Sequence, residues 1–221
     1  MKRPISSQGE PLDKEKIYQS LFEFIDDVLF QFKSSMGKKG ENFITQDIEI
    51  SLNEATRISN TFFAFQNQYQ EGRYTTDIGV YIRYSREYFC LIEAKWLPTP
   101  TCKDRDEREY VIVSLEKKEN GKRKFDGGGG IERFKEGKHA KDLPYSIMIG
   151  YIHDRNNADY WLSKINTWIT ELADTDDGFW TIEDCLNKYV SNKCDRFLSL
   201  HKRKDESKIL LHHYWIKIAT L

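Results

Sequence analysis

The fold is decided by two neighbouring stretches of sequence, residues 74–84 (YTTDIGVYIRY) and residues 87–97 (EYFCLIEAKWL). In the first stretch apolar and polar residues alternate, which is the period of a β-strand with one buried face, and the second stretch is predicted as the next strand. On the first strand, Asp77 lies on the face opposite to that of its apolar neighbours. On the second strand, Glu93 and Lys95 share one face. The short interval near Ser85 predicts a turn that joins the two strands as a hairpin.

The length of this turn determines whether Asp77 shares a face with Glu93. A two-residue turn sets Asp77 against Ala94, on the wrong face, whereas a three-residue turn or one β-bulge sets it directly opposite Glu93. Residues directly opposite each other have Cβ atoms about 4.5–5.5 Å apart, so two carboxylates there would repel unless they share a proton or a cation. Such oxygen ligands suit Mg²⁺ or Mn²⁺, and a neighbouring lysine can hold the attacking water or a phosphate. The alternative is a surface hairpin with an ordinary Glu–Lys pair.

Helices and strands are interleaved along the rest of the chain. Apolar residues spaced by three and four predict a helix over residues 14–36, ended by glycines, and a second helix that begins near Glu41. This order of elements predicts an α/β (mixed α+β) layered domain with a mixed central sheet flanked by helices. Further strands are predicted over 61–69, 145–153 and 209–218, and further helices over 131–142 and 158–172.

Length and composition predict one folded domain of 221 residues. Aromatic residues make up 14% of the chain, which is too many for a disordered protein. Residues 1–13 are predicted to form a loose tail, and residues 101–130 a charge-mixed insert. The insert ends in four glycines at 127–130, which predict a flexible loop, because no phosphate-binding motif surrounds them.

Charge and cysteine content limit the possible environments and partners. The chain has 34 basic and 35 acidic residues, and this balance by itself argues against a dedicated basic nucleic-acid binder. No apolar run approaches the roughly 20 residues that span a bilayer, and no secretory signal is visible. The four cysteines form no C-x-x-C pair, so we expect reduced thiols, no membrane partner and a cytoplasmic location.

Residues 75–81 (TTDIGVY) followed by residues 89–95 (FCLIEAK) resemble the core motif of the PD-(D/E)XK nuclease superfamily, the restriction-endonuclease-like fold. The resemblance covers about residues 41–152, so that the first helix and residues 153–221 would be N- and C-terminal helical additions. It implies that Asp77 and Glu93 bind the metal and that Lys95 is the catalytic lysine. It also implies a further ligand on the preceding helix, for which Glu41 is the better candidate and Glu49 the competitor. Thr76 stands where the motif has proline.

The function that this resemblance implies is hydrolysis of phosphodiester bonds. We expect a Mg²⁺- or Mn²⁺-dependent nuclease acting on nucleic acid, most directly DNA, as an endonuclease rather than an exonuclease. The setting would be restriction, defence or repair, by analogy with the superfamily alone. The alternative is a catalytically silent module of the same fold that binds nucleic acid or a protein. A homodimer or a protein partner is compatible with either function.

Two groups of basic residues are further candidates for contacts with a phosphate backbone. Lys135, Lys138 and His139 lie on the predicted helix after the glycines, where a solvated helix face is the alternative. The second group precedes the last predicted strand and forms a basic patch in the sequence, with an ordinary surface loop as the alternative. Its members are Arg196, His201 and Arg203.

Overall fold

The structure is a computed structural model that describes residues 13–32, 40–83, 85, 87–100, 106–112, 116–119, 122–125, 129–175 and 178–218. In these ranges the chain forms four α-helices and nine β-strands. The helices are α1 (Lys14–Gln31), α2 (Glu41–Ile58), α3 (Gly130–Lys135) and α4 (Ala158–Thr175). The strands are β1 (Phe63–Glu71), β2 (Tyr74–Ile82), β3 (Tyr88–Leu97), β4 (Glu116–Glu119), β5 (Lys122–Phe125), β6 (Tyr145–Ile152), β7 (Asn187–Tyr189), β8 (Asp195–Lys202) and β9 (Lys208–Lys217).

Seven of these strands form one mixed sheet in the order β1-β2-β3-β6-β9-β8-β7. The three central strands, β3, β6 and β9, run parallel, and antiparallel pairs extend the sheet on both sides. The central strands are buried on both faces, which explains why β6 has an almost continuous apolar sequence. The predicted mixed sheet flanked by helices is therefore confirmed.

Helices cover both faces of the sheet. On one face, α1 and α2 pack their apolar sides against the inward residues of β1, β2 and β3, in a cluster that includes Leu21 and Ile48. On the other face, α3, α4 and a 3-10 turn at Glu107–Tyr110 form a second cluster around Trp161. The first helix is integral to the core, since the Tyr18 hydroxyl donates a 2.6 Å hydrogen bond to the Phe89 carbonyl.

The C-terminal part of the chain differs from its predicted form. Residues 153–221 are predicted as C-terminal helical additions with one closing strand over 209–218. The structure has the predicted helix and strand, as α4 and β9, but it adds β7 and β8, so that this part supplies three strands of the main sheet. The alternation of β8 was not recognised because two of its inward positions are the polar residues Ser199 and His201, which bond to each other. The short helix α3 ends at Lys135 rather than at residue 142, and Gly137 follows with a φ of +68°.

Several predictions fall on residues outside the described ranges. These are the tail before residue 13, the end of the first helix after residue 32, and the first glycines of the run, 127 and 128. Two positions of the predicted hairpin turn, 84 and 86, also lie outside them. Within the insert 101–130 the structure describes the 3-10 turn and a separate two-stranded sheet made of β4 and β5.

Close packing at Gly150 gives a test of the sheet. Gly150 lies beside Lys95 in the β3–β6 pair, and a Cβ at this position would come within 2.4 Å of Trp215 Cδ1 and 2.7 Å of Leu97 Cδ1. We expect Gly150→Ala to lower the free energy of unfolding by about 1–3 kcal/mol, because such overpacking forces neighbours to shift. Urea unfolding measures this. The control is Gly40→Ala, where no atom lies within 4 Å and the loss should stay below about 1 kcal/mol. Equal losses of unfolding free energy in the two variants would contradict the close packing at Gly150.

Candidate active site

The register between β2 and β3 brings the predicted residues together. Ile78 pairs with Ile92 and Val80 pairs with Cys90, and a bulge between Val80 and Tyr81 separates this register from the turn. The pairing ends at Ile78 and Ile92, and this register continued by one position would set Asp77 opposite Glu93. The bulge thus supplies the register for which the sequence required an odd-length turn or one bulge.

Two carboxylates bond to the backbone of β3 just beyond its last described pair with β2. The N–H of Ala94 donates to Asp77 Oδ2 at 2.7 Å, and the N–H of Trp96 donates to Glu41 Oε2 at 2.9 Å. Glu41 is the first residue of α2, where a negative charge interacts favourably with the helix dipole. Glu49 instead accepts a hydrogen bond from Asn53 within the same helix. Of the two helix carboxylates, Glu41 is thus the one in contact with β3.

Glu93 is the centre of a buried group of charges. Its Oε1 lies 2.8 Å from Lys95 Nζ and 2.8 Å from Arg133 NH1. The side chains of Glu93 and Lys95 are 1% and 7% exposed, whereas Arg133, on α3, is 30% exposed. Glu93 Oε2 lies 3.6 Å from His139 Nε2, and neither atom has a hydrogen-bond partner among the described residues.

This group changes the pKa values of its members. Burial pushes the pKa of Glu93 upward, but Lys95, His139 and Arg133 outweigh it, so the pKa lies below its usual range. Burial also disfavours the charged form of Lys95, but the carboxylates of Glu93 and Asp77 hold its pKa above the usual range. Burial, followed by the charge of Glu93, raises the pKa of Asp77 to about 7. Near neutral pH, Glu93 is therefore ionised and Lys95 is protonated, while Asp77 is present in both its protonated and its ionised form.

His139 belongs to this group rather than to a surface. Its Nδ1 lies 3.2 Å from the hydroxyl of Thr76. Burial lowers the pKa of His139 to about 4, so the ring is neutral at pH 7. The prediction of His139 as an exposed phosphate contact is therefore wrong. Arg133 was missed, although it lies on the same predicted helix as His139.

Most of the other predicted phosphate contacts are also buried, and the predicted basic patch is not on the surface. Lys135 pairs with Asp184 at 2.7 Å, and the same carboxylate oxygen lies 2.7 Å from His201 Nδ1. Most of the basic residues in the two predicted sets have partners inside the protein. These partners are distant in the sequence, so the spacing of the basic residues does not reveal them. Arg196 pairs with Asp26 at 2.8 Å, Arg203 donates to the carbonyls of Ala140 and Leu143, and Lys138, paired with Glu136, keeps 21% of its side chain exposed.

The donor set at β3 fits a hard divalent cation in its chemistry. Three carboxylates from three elements lie along β3, Asp77, Glu93 and Glu41, and the pKa of Asp77 is raised by burial first and then by the charges of Glu93 and Glu41. The buried Glu93 Oε2 without a hydrogen-bond partner is an oxygen that a cation would satisfy. In the described part of the chain, however, no three His, Cys, Asp or Glu side chains are gathered as a metal site. Lys95 and Arg133 neutralise Glu93 in this arrangement.

Comparison with known proteins adds no identification. No protein-family model, curated protein or solved structure matches this chain. None of the helices in the described ranges combines the length and the apolar character needed to cross a membrane.

The raised pKa of Asp77 predicts a pH-dependent stability. Between pH 3.8 and about 7 the folded protein keeps a proton that the unfolded chain has lost, so the free energy of unfolding falls as pH rises through this window. Asn does not titrate, so Asp77→Asn should gain on the order of 2–4 kcal/mol relative to wild type between pH 4 and pH 8. Urea unfolding across this range measures the difference. The exposed Asp159→Asn variant is the control, and a profile for Asp77→Asn parallel to wild type would contradict the shifted pKa.

The burial of Lys135 predicts a structural role. Lys135→Met removes the cation beside Asp184 and leaves a buried carboxylate with less compensation, which should cost about 3 kcal/mol or more of stability. Lys138→Met, at a partly exposed pair, should cost less than about 1 kcal/mol. Thermal and urea unfolding of both variants measure the contrast. A Lys135→Met protein as stable as wild type would contradict a structural role for the buried amino group.

Proposed function

We propose that this chain is a metal-dependent nuclease that hydrolyses phosphodiester bonds of nucleic acid, with DNA as the substrate. One observation carries the proposal: Asp77 and Glu41 bond to two N–H groups of β3 that alternate with Glu93 and Lys95 along the same strand. Four side chains of the types suited to phosphodiester hydrolysis, from β2, β3 and α2, thus lie on β3 or bond to it, which supports the proposal. A chance Glu–Lys pair on a surface hairpin would have no reason to be buried there.

The order of elements around the site supports the same proposal. Helix α2 precedes three antiparallel strands, β1, β2 and β3, and α3 then leads to β6, which pairs parallel with β3. This order agrees with the restriction-endonuclease-like core that residues 75–81 and 89–95 resemble. The strands β7, β8 and β9 extend the sheet beyond that core.

Asp77, Glu93 and Glu41 are the residues that would hold Mg²⁺ or Mn²⁺. A bound cation of this kind supplies Lewis-acid stabilisation of the charge that develops on the scissile phosphate. Asp77 must lose its proton to act as a ligand, and its pKa of about 7 makes this possible near neutral pH. Glu93 must be released, at least in part, from Lys95 and Arg133.

Lys95 acts as a hydrogen-bond donor and a positive charge. Because its pKa lies above the usual range, it keeps its proton at neutral pH and is a poor proton acceptor. The sequence left open whether this lysine orients the attacking water or helps to deprotonate it. The charge state favours the first role, in which the ammonium group holds the water or a phosphate oxygen in place.

A catalytically silent module is the second candidate, and one observation favours it. Glu93 is already neutralised by Lys95 and Arg133, and no ready metal site exists among the described residues. In that case the same charges would only stabilise the sheet. Mg²⁺ would then neither bind at β3 nor change any activity.

Cleavage assays separate the two candidates. Supercoiled, linear duplex and single-stranded DNA, together with RNA, are incubated with the purified chain and Mg²⁺ or Mn²⁺. We expect nicking that EDTA abolishes, with at least about a 100-fold lower rate for Asp77→Ala and for Lys95→Ala. Asp77→Ala removes a proposed ligand of the cation, and Lys95→Ala removes the positive charge beside the reacting phosphate.

The control is Lys188→Ala, an exposed lysine away from β3, which should cleave at the wild-type rate. If wild type leaves every form of DNA and RNA intact with both metals, the silent module is the correct description. Cleavage that survives in Asp77→Ala would place the reaction at another site.

A further inference from the structure

The β-hairpin made of β4 and β5 stands apart from the main sheet. Its two strands pair only with each other in the described part of the chain, as a two-stranded antiparallel sheet. Residues 116–125 read EKKENGKRKF, with five basic and two acidic residues, a net charge of +3 in a chain whose net charge is −1. The hairpin is therefore a local concentration of positive charge.

The register of the hairpin sets like charges against each other. Lys117 pairs with Lys124, and Lys118 pairs with Arg123. Cations directly opposite each other on neighbouring strands destabilise a hairpin. A polyanion that binds along two strands with such a register would offset this cost, because it neutralises charges that repel each other.

The segment that carries this hairpin begins and ends beside Lys95. A Cβ on Gly129 would lie 2.2 Å from Ile112 Cα, so the chain before β4 and the chain after β5 touch at this point. The N–H of Glu132 also donates to the Val111 carbonyl at 3.0 Å. A Cβ on Gly130 would lie 3.5 Å from Lys95 Cγ. The base of the hairpin is thus part of the wall of the candidate active site.

We propose that the β4–β5 hairpin is a nucleic-acid-binding arm that holds the phosphate backbone of the substrate beside Lys95. This inference rests on the proposed function, and it adds the element that binds the substrate. A two-stranded β-ribbon fits the major groove of a duplex, and lysine and arginine side chains neutralise its phosphates. Nucleic acid is favoured over an acidic protein because the base of the hairpin lies at the candidate site for phosphodiester cleavage.

The arm also accounts for how a chain without net positive charge binds a polyanion. Attraction of the phosphate backbone depends on the local distribution of charge rather than on the sum over the chain. Residues 116–125 carry five basic residues on a segment whose two ends meet beside Lys95, while acidic residues elsewhere balance the total.

Binding of a fluorescein-labelled DNA duplex tests the arm. Fluorescence anisotropy is measured in EDTA, so that no cleavage occurs, between 50 and 200 mM salt. The test variant carries Gln at all five basic positions of the hairpin. Each lost phosphate contact should reduce the slope of log K against log salt by about 0.9, so we expect a slope smaller by about 3 to 5 and an affinity at least about tenfold lower. The substituted residues are Lys117, Lys118, Lys122, Arg123 and Lys124.

The control variant carries the same number of Lys→Gln changes at exposed positions of other elements. We expect its affinity and salt slope to stay close to wild type. The melting temperature of the hairpin variant should equal or exceed that of wild type, because repulsion between opposed cations is removed. The control positions are Lys14, Lys16, Lys188, Lys202 and Lys208.

Cleavage of the same duplex with Mg²⁺ distinguishes failure of the arm from failure of the proposed function. At saturating DNA the hairpin variant should cleave with the wild-type kcat and a raised KM, because Asp77, Glu93 and Lys95 are unchanged. Wild-type cleavage together with wild-type binding by the hairpin variant would overturn the arm and leave the nuclease proposal intact. An equal loss of affinity in the control variant would also overturn the arm. A wild-type protein that neither binds nor cleaves nucleic acid would overturn both.

Discussion

The buried carboxylate of Glu93 is the constraint on which this structure depends. An ionised group in the middle of a sheet is costly unless opposite charges accompany it, and here Lys95 and Arg133 both lie 2.8 Å from one of its oxygens. Lys95 is on the same strand, but Arg133 comes from α3 on the covering layer. Neutralising Glu93 therefore fixes the position of that helix against the sheet.

A second buried carboxylate also holds the last turn of α3. Lys135, two residues after Arg133, pairs with Asp184, which also bonds to His201 on β8. The last turn of α3 is thus held between Glu93 on β3 and the pair of Asp184 and His201. From His201 the hydrogen bonds continue through Ser199 to His213 on β9. This chain of contacts joins the C-terminal strands to the helix that borders the candidate site.

The candidate site is held together by an electrostatic balance. Lys95 and Arg133 neutralise Glu93, and a proton on Asp77, whose pKa is about 7, reduces the repulsion between the two carboxylates. The orphaned Glu93 Oε2 and His139 Nε2 are the atoms that the present arrangement leaves unsatisfied among the described residues.

Local patterns predicted the elements of this protein well where one face of a strand is apolar and the other polar. The hairpin of Asp77 and Glu93 and the position of Glu41 on the second helix follow from periods of two and 3.6. Those patterns failed for β8, because its buried positions carry Ser199 and His201, whose polarity is satisfied by tertiary partners. They also misplaced Lys135, Arg196 and Arg203 on the surface, because the burial of a cation depends on a carboxylate or carbonyl distant in the sequence.

By itself, then, the sequence determined the strand faces and the residue types of the candidate site, because side-chain alternation is a local property of the backbone. Only the tertiary structure decided the register, through the bulge at Val80 and Tyr81, and only it showed that Glu41 rather than Glu49 bonds to β3. Only the tertiary structure also brought Arg133 and His139 to Glu93. These choices depend on which distant groups share a buried space, since the cost of a buried charge is set by its neighbours in three dimensions.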